Sequence, residues 1–235
     1  MISRANNITI GVLALQGAFA EHIDHLTTAA DSLQTQPINV IPVRTPPELD
    51  SCDALVIPGG ESTAISLIAE RTGLLAHLMD YVASEKPVWG TCAGLIFLAK
   101  QVVNGKPNQQ ILGGMDIQVH RNAFGRQLHS FEAPLDFSSF IKDVIDFPTV
   151  FIRAPVISKI LENAESESES ESELTTIISN NTYKNKAPLQ ILHQLENGFI
   201  VAVKQGSKLG TSFHPELVSD TRFHKWFILE FVLRE

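Results

Sequence analysis

The sequence is poor in cysteine, in basic residues and in long apolar runs, and each shortage excludes a class of protein. Its two cysteines, Cys52 and Cys92, form no C-x-x-C pair, which excludes a disulfide framework and favours a reducing compartment. Lys and Arg total 18 against 26 Asp and Glu, a formal charge of -8 that disfavours binding to nucleic acid or to an anionic membrane surface. No apolar stretch reaches the roughly 20 residues of a membrane helix, and the N-terminus lacks a signal-peptide pattern, so we expect a cytoplasmic protein.

The chain has the apolar content of a folded protein. The chain has 235 residues, 44% of them hydrophobic, and can bury a sizeable core. Apolar runs at 8–15 and 54–57 predict buried strands, and a further strand is predicted at 38–43. A helical pattern at 20–34 separates the first two strands along the chain, and one or two helices, broken near Gly73, are predicted at 62–84. This β-α-β alternation predicts an α/β fold: a three-layer, doubly wound, mostly parallel sheet with helices on both faces.

The second half of the chain predicts an antiparallel extension of that sheet. Shorter segments with turns fill residues 111–160, and residues 189–193 and 198–204 have the pattern of a hairpin. A buried strand is expected at 208–213 and an amphipathic helix at 219–233. No internal repeat is visible, and we predict a single domain over residues 1–235.

One segment has nothing apolar to bury. Residues 165–173 alternate Glu and Ser, and we expect 163–174 to be a disordered loop inserted in the domain. Five of the 26 acidic residues lie in this loop, so the charge of the remaining chain is nearly balanced. The serines of the loop fit an acidophilic kinase site, but an unmodified loop is the favoured interpretation.

The segment Gly90-Thr91-Cys92-Ala93-Gly94 places a cysteine between glycines where a predicted strand passes into a helix at 94–100. This is the pattern of a nucleophile elbow, whose turn leaves no space for side chains on its flanks. The start of the helix favours a negatively charged sulfur, and the Ala93 N–H points to where an oxyanion would form. Cys92 is therefore a candidate nucleophile; the alternative is a small core residue.

Two further segments supply groups that suit this cysteine. His214 follows a predicted strand and Glu216 lies two residues later, so the histidine can act as a base and the carboxylate can orient it. The segment Pro58-Gly59-Gly60-Glu61-Ser62 suits close approach of backbone to a ligand, although an ordinary strand-to-helix turn is the alternative. Cys, His and Glu could also ligate zinc, but no second short-spaced ligand pair accompanies these residues, and we predict neither metal nor cofactor.

Together the cysteine, histidine and glycine segments resemble the class I (triad) glutamine amidotransferases. Five motifs narrow the resemblance: Leu15-Gln16-Gly17-Ala18 with Glu21-His22, Pro58-Gly59-Gly60-Glu61-Ser62-Thr63, Gly90-Thr91-Cys92-Ala93-Gly94-Leu95-Ile96, residues 121–127, and Phe151-Ile152-Arg153-Ala154-Pro155. Over residues 8–217 these motifs recur in the order of the glutaminase subunit of pyridoxal 5′-phosphate synthase, and the chain resembles that PdxT/SNO family. The end of the chain, at 220–227, resembles the fungal branch, whereas His129 and the Glu/Ser insert depart from the family pattern.

The resemblance implies hydrolysis of L-glutamine to L-glutamate and ammonia through a thioester on Cys92, with His214 as base and Glu216 as its orienting partner. The ammonia would pass to a separate PdxS/SNZ-type synthase subunit, which activates an otherwise weak glutaminase. The segment 16–22 would lie near that contact, and a peptide reorientation at Gly59 and Gly60 is a hypothetical switch. The implied glutamine contacts are Gly60, Glu61, Ser62, Arg121, Ile152 and Arg153, and the implied oxyanion hole consists of Gly59, Gly60 and Ala93.

Two alternatives stay open at this point. The first is another enzyme on the same fold, either a glutaminase serving a different synthase or a γ-glutamyl hydrolase. The second is a non-catalytic regulatory or partner-binding subunit that keeps the fold. Reaction of Cys92 with a glutamine-analogue electrophile would distinguish a catalytic from a non-catalytic chain.

Overall fold

The computed structural model describes residues 7–121, 130–161 and 175–234. Strands and helices alternate up to residue 98, and strands predominate after it. The elements in chain order are β1 (Ile8–Leu13), α1 (Phe19–Asp31), β2 (Ile38–Val43), α2 (Pro46–Asp50), β3 (Ala54–Ile57), α3 (Ser62–Arg71), α4 (Leu74–Ala83), β4 (Val88–Thr91), α5 (Ala93–Leu98), β5 (Ala99–Val103), β6 (Met115–His120), β7 (Ser130–Leu135), β8 (Phe147–Ile152), β9 (Val156–Ile160), β10 (Thr176–Ile178), β11 (Leu189–Gln194), β12 (Ile200–Gln205), β13 (Lys208–Thr211) and α6 (Arg222–Phe227).

The larger sheet is parallel in one half and mainly antiparallel in the other. Strands β2, β1, β3, β4 and β13 lie side by side and run in the same direction. Strand β12 continues the sheet antiparallel to β13 and forms the predicted hairpin with β11. Beyond it follow β9, β6, β5 and β10, of which only β5 and β6 pair in parallel. Strands β7 and β8 form a separate two-stranded antiparallel sheet, whose Phe147 and Phe151 pack into the core shared with the larger sheet. The α/β class, the mostly parallel sheet and its antiparallel extension are confirmed.

Helices cover both faces of the sheet, and this explains why every residue of strand β3 is apolar. Leu55 and Ile57 face the core that α3, α4 and α5 cover, while Ala54 and Val56 face the core of α1 and α6. All four side chains are fully buried, so no position in the strand is left for a polar residue. Among the described residues no helix combines the length and the apolar content that crossing a bilayer requires.

Three details differ from expectation. The helix predicted at 94–100 ends at Leu98, because carbonyl oxygens of Phe97 and Leu98 accept hydrogen bonds from residues 112 and 114 rather than from a further helical turn. The terminal helix predicted at 219–233 is α6 followed by a π-helical segment, Ile228–Leu233. The strand predicted at 208–213 ends at residue 211.

Helix α2 was not predicted, although a signal for it was present. Proline stands at its first turn, and Thr45 forms a capping box with Glu48. Most of the 121–127 motif, His129 and the 163–174 insert lie outside the described residues. The single-domain organisation stays a prediction.

Candidate active site

Cys92 occupies the turn between β4 and α5 in an unusual backbone conformation. Its φ of 46° and ψ of -100° place a residue other than glycine at positive φ, a strained state that tends to occur at functional sites. Only glycine fits at the two flanking positions, because any side chain there would clash with the backbone. A Cβ on Gly94 would lie 2.0 Å from Ile57 O, and one on Gly90 would lie 2.5 Å from Gly94 O. The Cys92 N–H donates to Thr211 O of β13 (2.8 Å), which ties the turn to the neighbouring strand.

His214 lies beyond the end of β13, directly beside Cys92. Its backbone N–H donates to Val150 O of β8 (2.8 Å), and its ring Nδ1 lies 2.7 Å from Glu216 Oε1. With Nδ1 engaged by the carboxylate, Nε2 is the ring nitrogen left for the Cys92 thiol. Burial alone would lower the pKa of His214, but its hydrogen bonds with Cys92 and Glu216 outweigh burial and raise that pKa above its ordinary value. This environment favours an imidazolium ring beside the sulfur.

Glu216 is a buried carboxylate held between two histidines. The side chain is fully buried, with Oε1 2.7 Å from His214 Nδ1 and Oε2 3.3 Å from His22 Nε2. Burial alone would raise the pKa of Glu216, but the His22 and His214 rings hold it well below its ordinary value. Glu216 therefore stays ionised at neutral pH and can fix the orientation of the His214 ring.

The glycine loop after β3 packs against the His214 ring. A Cβ on Gly59 would lie 2.3 Å from His214 Cε1, so only glycine permits this contact. Gly59 O accepts a hydrogen bond from Ala18 N (3.1 Å), and Gln16 Oε1 accepts one from Glu61 N (2.7 Å). The segment after β1 therefore holds this loop beside the histidine.

A polar cluster lies at the start of α3. Glu61 caps the helix by accepting hydrogen bonds from two backbone N–H groups, and Arg121 Nη2 lies 3.3 Å from Glu61 Oε1. Arg121 Nη1 also donates to Gln109 Oε1 (3.2 Å), while Gln109 Nε2 donates to Ser62 Oγ (3.1 Å). Backbone hydrogen bonds, from Ala64 first, outweigh burial and lower the pKa of Glu61. The cluster thus joins three of the residues predicted to contact glutamine.

Gln109 was missed at the sequence level. It is 4% exposed and links Ser62 to Arg121, yet it stands in a loop after Pro107 and Asn108 with no motif around it. Its role depends on a contact between residues 47 positions apart.

The end of β8 brings the backbone of Ile152 close to the thiol, and Arg153 is the next residue in the chain. Ile152 ends β8, and its carbonyl oxygen lies 4.0 Å from Cys92 Sγ. Arg153 follows at a φ of 46° with an exposed side chain. Three chain segments therefore converge on the sulfur: the end of β8, the residues after β13 and the elbow itself. Within the described residues no group of three or more His, Cys, Asp and Glu side chains is arranged to hold a metal ion.

This fold has a close counterpart among solved structures. It matches a crystal structure of a glutamine amidotransferase with a TM-score of 0.70 and 36% identity, covering 93% of this chain and 96% of that one. The fold is thus that of the glutamine amidotransferases. The SNO glutamine amidotransferase family matches residues 12–233, and the chain belongs to that family.

Relatives of similar length occur in fungi, plants and bacteria. Pyridoxal 5′-phosphate synthase subunit SNO1 of Saccharomyces cerevisiae is 47% identical, covering 95% of this chain and 92% of that protein. The probable pyridoxal 5′-phosphate synthase subunit PDX2 of Arabidopsis thaliana is 40% identical, covering 94% and 85%. Pyridoxal 5′-phosphate synthase subunit PdxT of Salinispora arenicola is 42% identical, covering 93% and 94%.

Proposed function

We propose that this chain is the glutaminase subunit of a pyridoxal 5′-phosphate synthase and hydrolyses L-glutamine to L-glutamate and ammonia. The observation that carries the proposal is the geometry around Cys92: a strained elbow cysteine hydrogen-bonded to a histidine whose other nitrogen lies 2.7 Å from a buried carboxylate. Membership of the SNO glutamine amidotransferase family supports the amidotransferase chemistry. The names of the relatives support the particular synthase.

Cys92, His214 and Glu216 divide the work of the reaction. The Cys92 thiolate attacks the side-chain amide carbon, a C–S bond forms, and the carbonyl electron pair moves onto oxygen. The His214 imidazolium then gives its proton to the amide nitrogen, so that the C–N bond breaks and ammonia leaves. His214, now neutral, takes a proton from water, which attacks the thioester; breakage of the C–S bond releases glutamate. Glu216 keeps the ring oriented throughout.

The oxyanion would be held by backbone N–H groups. Ala93, the first residue of α5, supplies one, and its N–H belongs to the unsatisfied first turn of a helix. The loop that contains Gly59 and Gly60 supplies N–H groups on the opposite side of the proposed oxyanion hole. Gly59 C=O and Gly60 N–H belong to one peptide, and in a trans peptide these two groups point in opposite directions. Because Gly59 O accepts a hydrogen bond from the Ala18 N–H, the Gly60 N–H points away from Ala18.

Arg121 and Glu61 match the zwitterionic end of glutamine. A guanidinium suits the α-carboxylate and a carboxylate suits the α-ammonium, and these two side chains already lie 3.3 Å apart. Ser62, held by Gln109, adds a hydroxyl beside them. The backbone of Gly60, Ile152 and Arg153 completes the proposed glutamine contacts.

Replacing Arg121 with methionine tests this assignment. Loss of the charge-assisted contact to the α-carboxylate should raise KM for glutamine by about 10- to 100-fold, with a smaller effect on kcat. Steady-state ammonia release measures both constants. Arg71→Met, which changes an exposed arginine at the end of α3, is the matched control and should leave KM unchanged. An unchanged KM in Arg121→Met would contradict the assignment.

The proposal includes a protein partner, the synthase subunit that consumes the ammonia. Activation by this partner would act through the 16–22 segment, which holds the glycine loop through Gln16 and Ala18. A reorientation of the Gly59–Gly60 peptide would have to break the Ala18–Gly59 hydrogen bond. A cytoplasmic location belongs to the proposal because a nucleophilic thiol must stay reduced.

Ammonia release from glutamine, measured with and without the PdxS/SNZ-type synthase of the same host, tests the proposal. We expect slow release by the chain alone, faster release in the presence of the synthase, and co-purification of the two proteins. Equal rates would contradict activation. No ammonia under either condition would favour a regulatory subunit, and stimulation by an unrelated amidotransferase synthase instead would favour another pathway.

A further inference from the structure

A row of buried histidines continues from the proposed triad into the core. Glu216 Oε2 lies 3.3 Å from His22 Nε2, and His22 Nδ1 lies 3.0 Å from His224 Nε2. His22 and His224 are fully buried, and Glu216 is nearly so. Burying three ionisable groups in contact carries a desolvation cost, which calls for a functional reason as much as a structural one.

Three separate elements bring these groups together. His22 lies on α1, His224 on α6, and Thr91 Oγ1 at the end of β4 lies 3.2 Å from His22 Nε2. The Trp89 ring packs edge-on against His22, with the ring centroids 5.5 Å apart. The His22 ring therefore has hydrogen-bonding partners at both nitrogens and an aromatic wall at its side.

The hydrogen-bond pattern indicates which nitrogen of His22 carries the hydrogen. Burial, reinforced by the neighbouring histidines, holds the pKa of His224 well below its ordinary value, so this ring is neutral. Among the described residues its Nδ1 has no hydrogen-bond partner, and a buried N–H without an acceptor is rarer than a buried lone pair without a donor. His224 thus carries its hydrogen on Nε2 and donates to His22 Nδ1. His22 must then present its own N–H from Nε2, towards Thr91 and Glu216.

We propose that His22 is a positioning residue of the active site, donating from Nε2 to Glu216 Oε2 so that Oε1 stays aimed at His214 Nδ1. The inference rests on the proposed glutaminase function and extends it. Among the described residues Glu216 Oε2 is a buried acceptor without a regular hydrogen bond, and His22 Nε2, paired with it at 3.3 Å, is the N–H group placed to supply one. The outer ring, His224, fixes the tautomer of His22.

The pH dependence of the reaction follows from the same contacts. The titratable groups facing Glu216 are His214 and His22; His224 faces His22, and His25 packs on His224 with ring centroids 4.9 Å apart. Glu216 must be ionised to orient His214. Losing the His22 N–H removes one of the groups that keep it ionised, so the carboxylate protonates at higher pH and the acid limb of kcat/KM moves to higher pH.

Two amide variants make the test specific. The side-chain nitrogen of glutamine stands as many bonds from Cα as His Nε2, whereas that of asparagine stands as many as His Nδ1. We expect His22→Gln to keep kcat within about threefold of the parent, and His22→Asn to lower kcat about 10- to 100-fold with little change in KM. The acid limb should move in the asparagine variant only. His77→Gln, which changes an exposed histidine on α4, is the control and should behave like the parent.

The measurements are ammonia release over a range of pH, with and without the synthase subunit, and the thermal unfolding of each variant. A His22→Asn variant that folds like the parent but shows the expected drop in kcat and shifted acid limb supports the inference. Equal kcat and equal pH profiles in the asparagine and glutamine variants overturn it while leaving the glutaminase proposal intact. A parent protein without ammonia release overturns both.

Discussion

Replacing Cys92 with alanine is expected to reduce ammonia release from glutamine by a factor of about 10⁴ or more, because no other group in the site can form the thioester. The loss should appear in kcat, since glutamine binding depends on Arg121 and Glu61 rather than on the sulfur. Steady-state assays in the presence of the synthase give the rate, and isothermal titration gives the affinity of the variant for glutamine. Retained glutamine binding with lost turnover is the expected combination.

Cys52 provides a natural control for this experiment. It is the second free cysteine and is fully buried, and burial raises the pKa of its thiol to about 11, so it should be unreactive at neutral pH. Cys52→Ala should keep the parental rate and lose only a small amount of stability. A Cys92→Ala variant that still released ammonia at the parental rate would remove Cys92 from the mechanism.

Glu216→Gln is expected to lower kcat by about 10² to 10⁴, an effect of the size seen when the orienting carboxylate of a catalytic triad becomes an amide. Both carboxylate oxygens face a histidine: Oε1 lies 2.7 Å from His214 Nδ1, and Oε2 lies 3.3 Å from His22 Nε2. An amide has only one accepting oxygen, so its NH₂ must face one of the two rings. If the NH₂ group faces His214, that ring must accept at Nδ1 and takes the wrong tautomer. If the NH₂ group faces His22, it meets the N–H of His22 Nε2 and neither group has an acceptor.

The Glu216→Gln rate should be compared with that of Glu196→Gln, which changes an exposed glutamate in the β11–β12 turn. The folded-state pKa of Glu216 lies below its ordinary value, so its ionised form stabilises the fold at neutral pH. That contribution persists above the ordinary pKa and disappears only as the pH falls through the lower folded-state value. The glutamine variant should therefore also unfold at lower temperature at pH 7. Parental kcat in Glu216→Gln would show that the His214 ring needs no orienting carboxylate.

Much of the fold was predictable because strands buried on both faces restrict the residue types that they can contain. Every residue of β3 is buried between two helical layers, and only an uninterrupted apolar run satisfies that position. The break between α3 and α4 was also predictable, since Gly73 adopts a φ of 73° there. The end of α5 was not, because hydrogen bonds from residues 112 and 114 decide it.

The residues of the candidate site likewise fall into those that the sequence predicts and those that it does not. Cys92, His214 and the Gly59-Gly60 pair stand in short local motifs, because a tight turn or a close backbone approach restricts the residues at neighbouring positions. Gln109 and the role of His22 depend on partners far away in the chain, 47 residues in one case and 194 in the other. No local pattern indicates such contacts, and only the folded structure brings them together.

The most direct test of the central claim is the site at which a glutamine analogue attaches. A glutamine analogue carrying a diazoketone in place of the side-chain amide should alkylate the protein once, and peptide mass spectrometry should place the adduct on Cys92. Excess L-glutamine should protect against the reaction, and His214→Asn should slow it. An adduct on Cys52, or labelling of Cys92 that glutamine does not slow, would contradict a glutamine site at this cysteine.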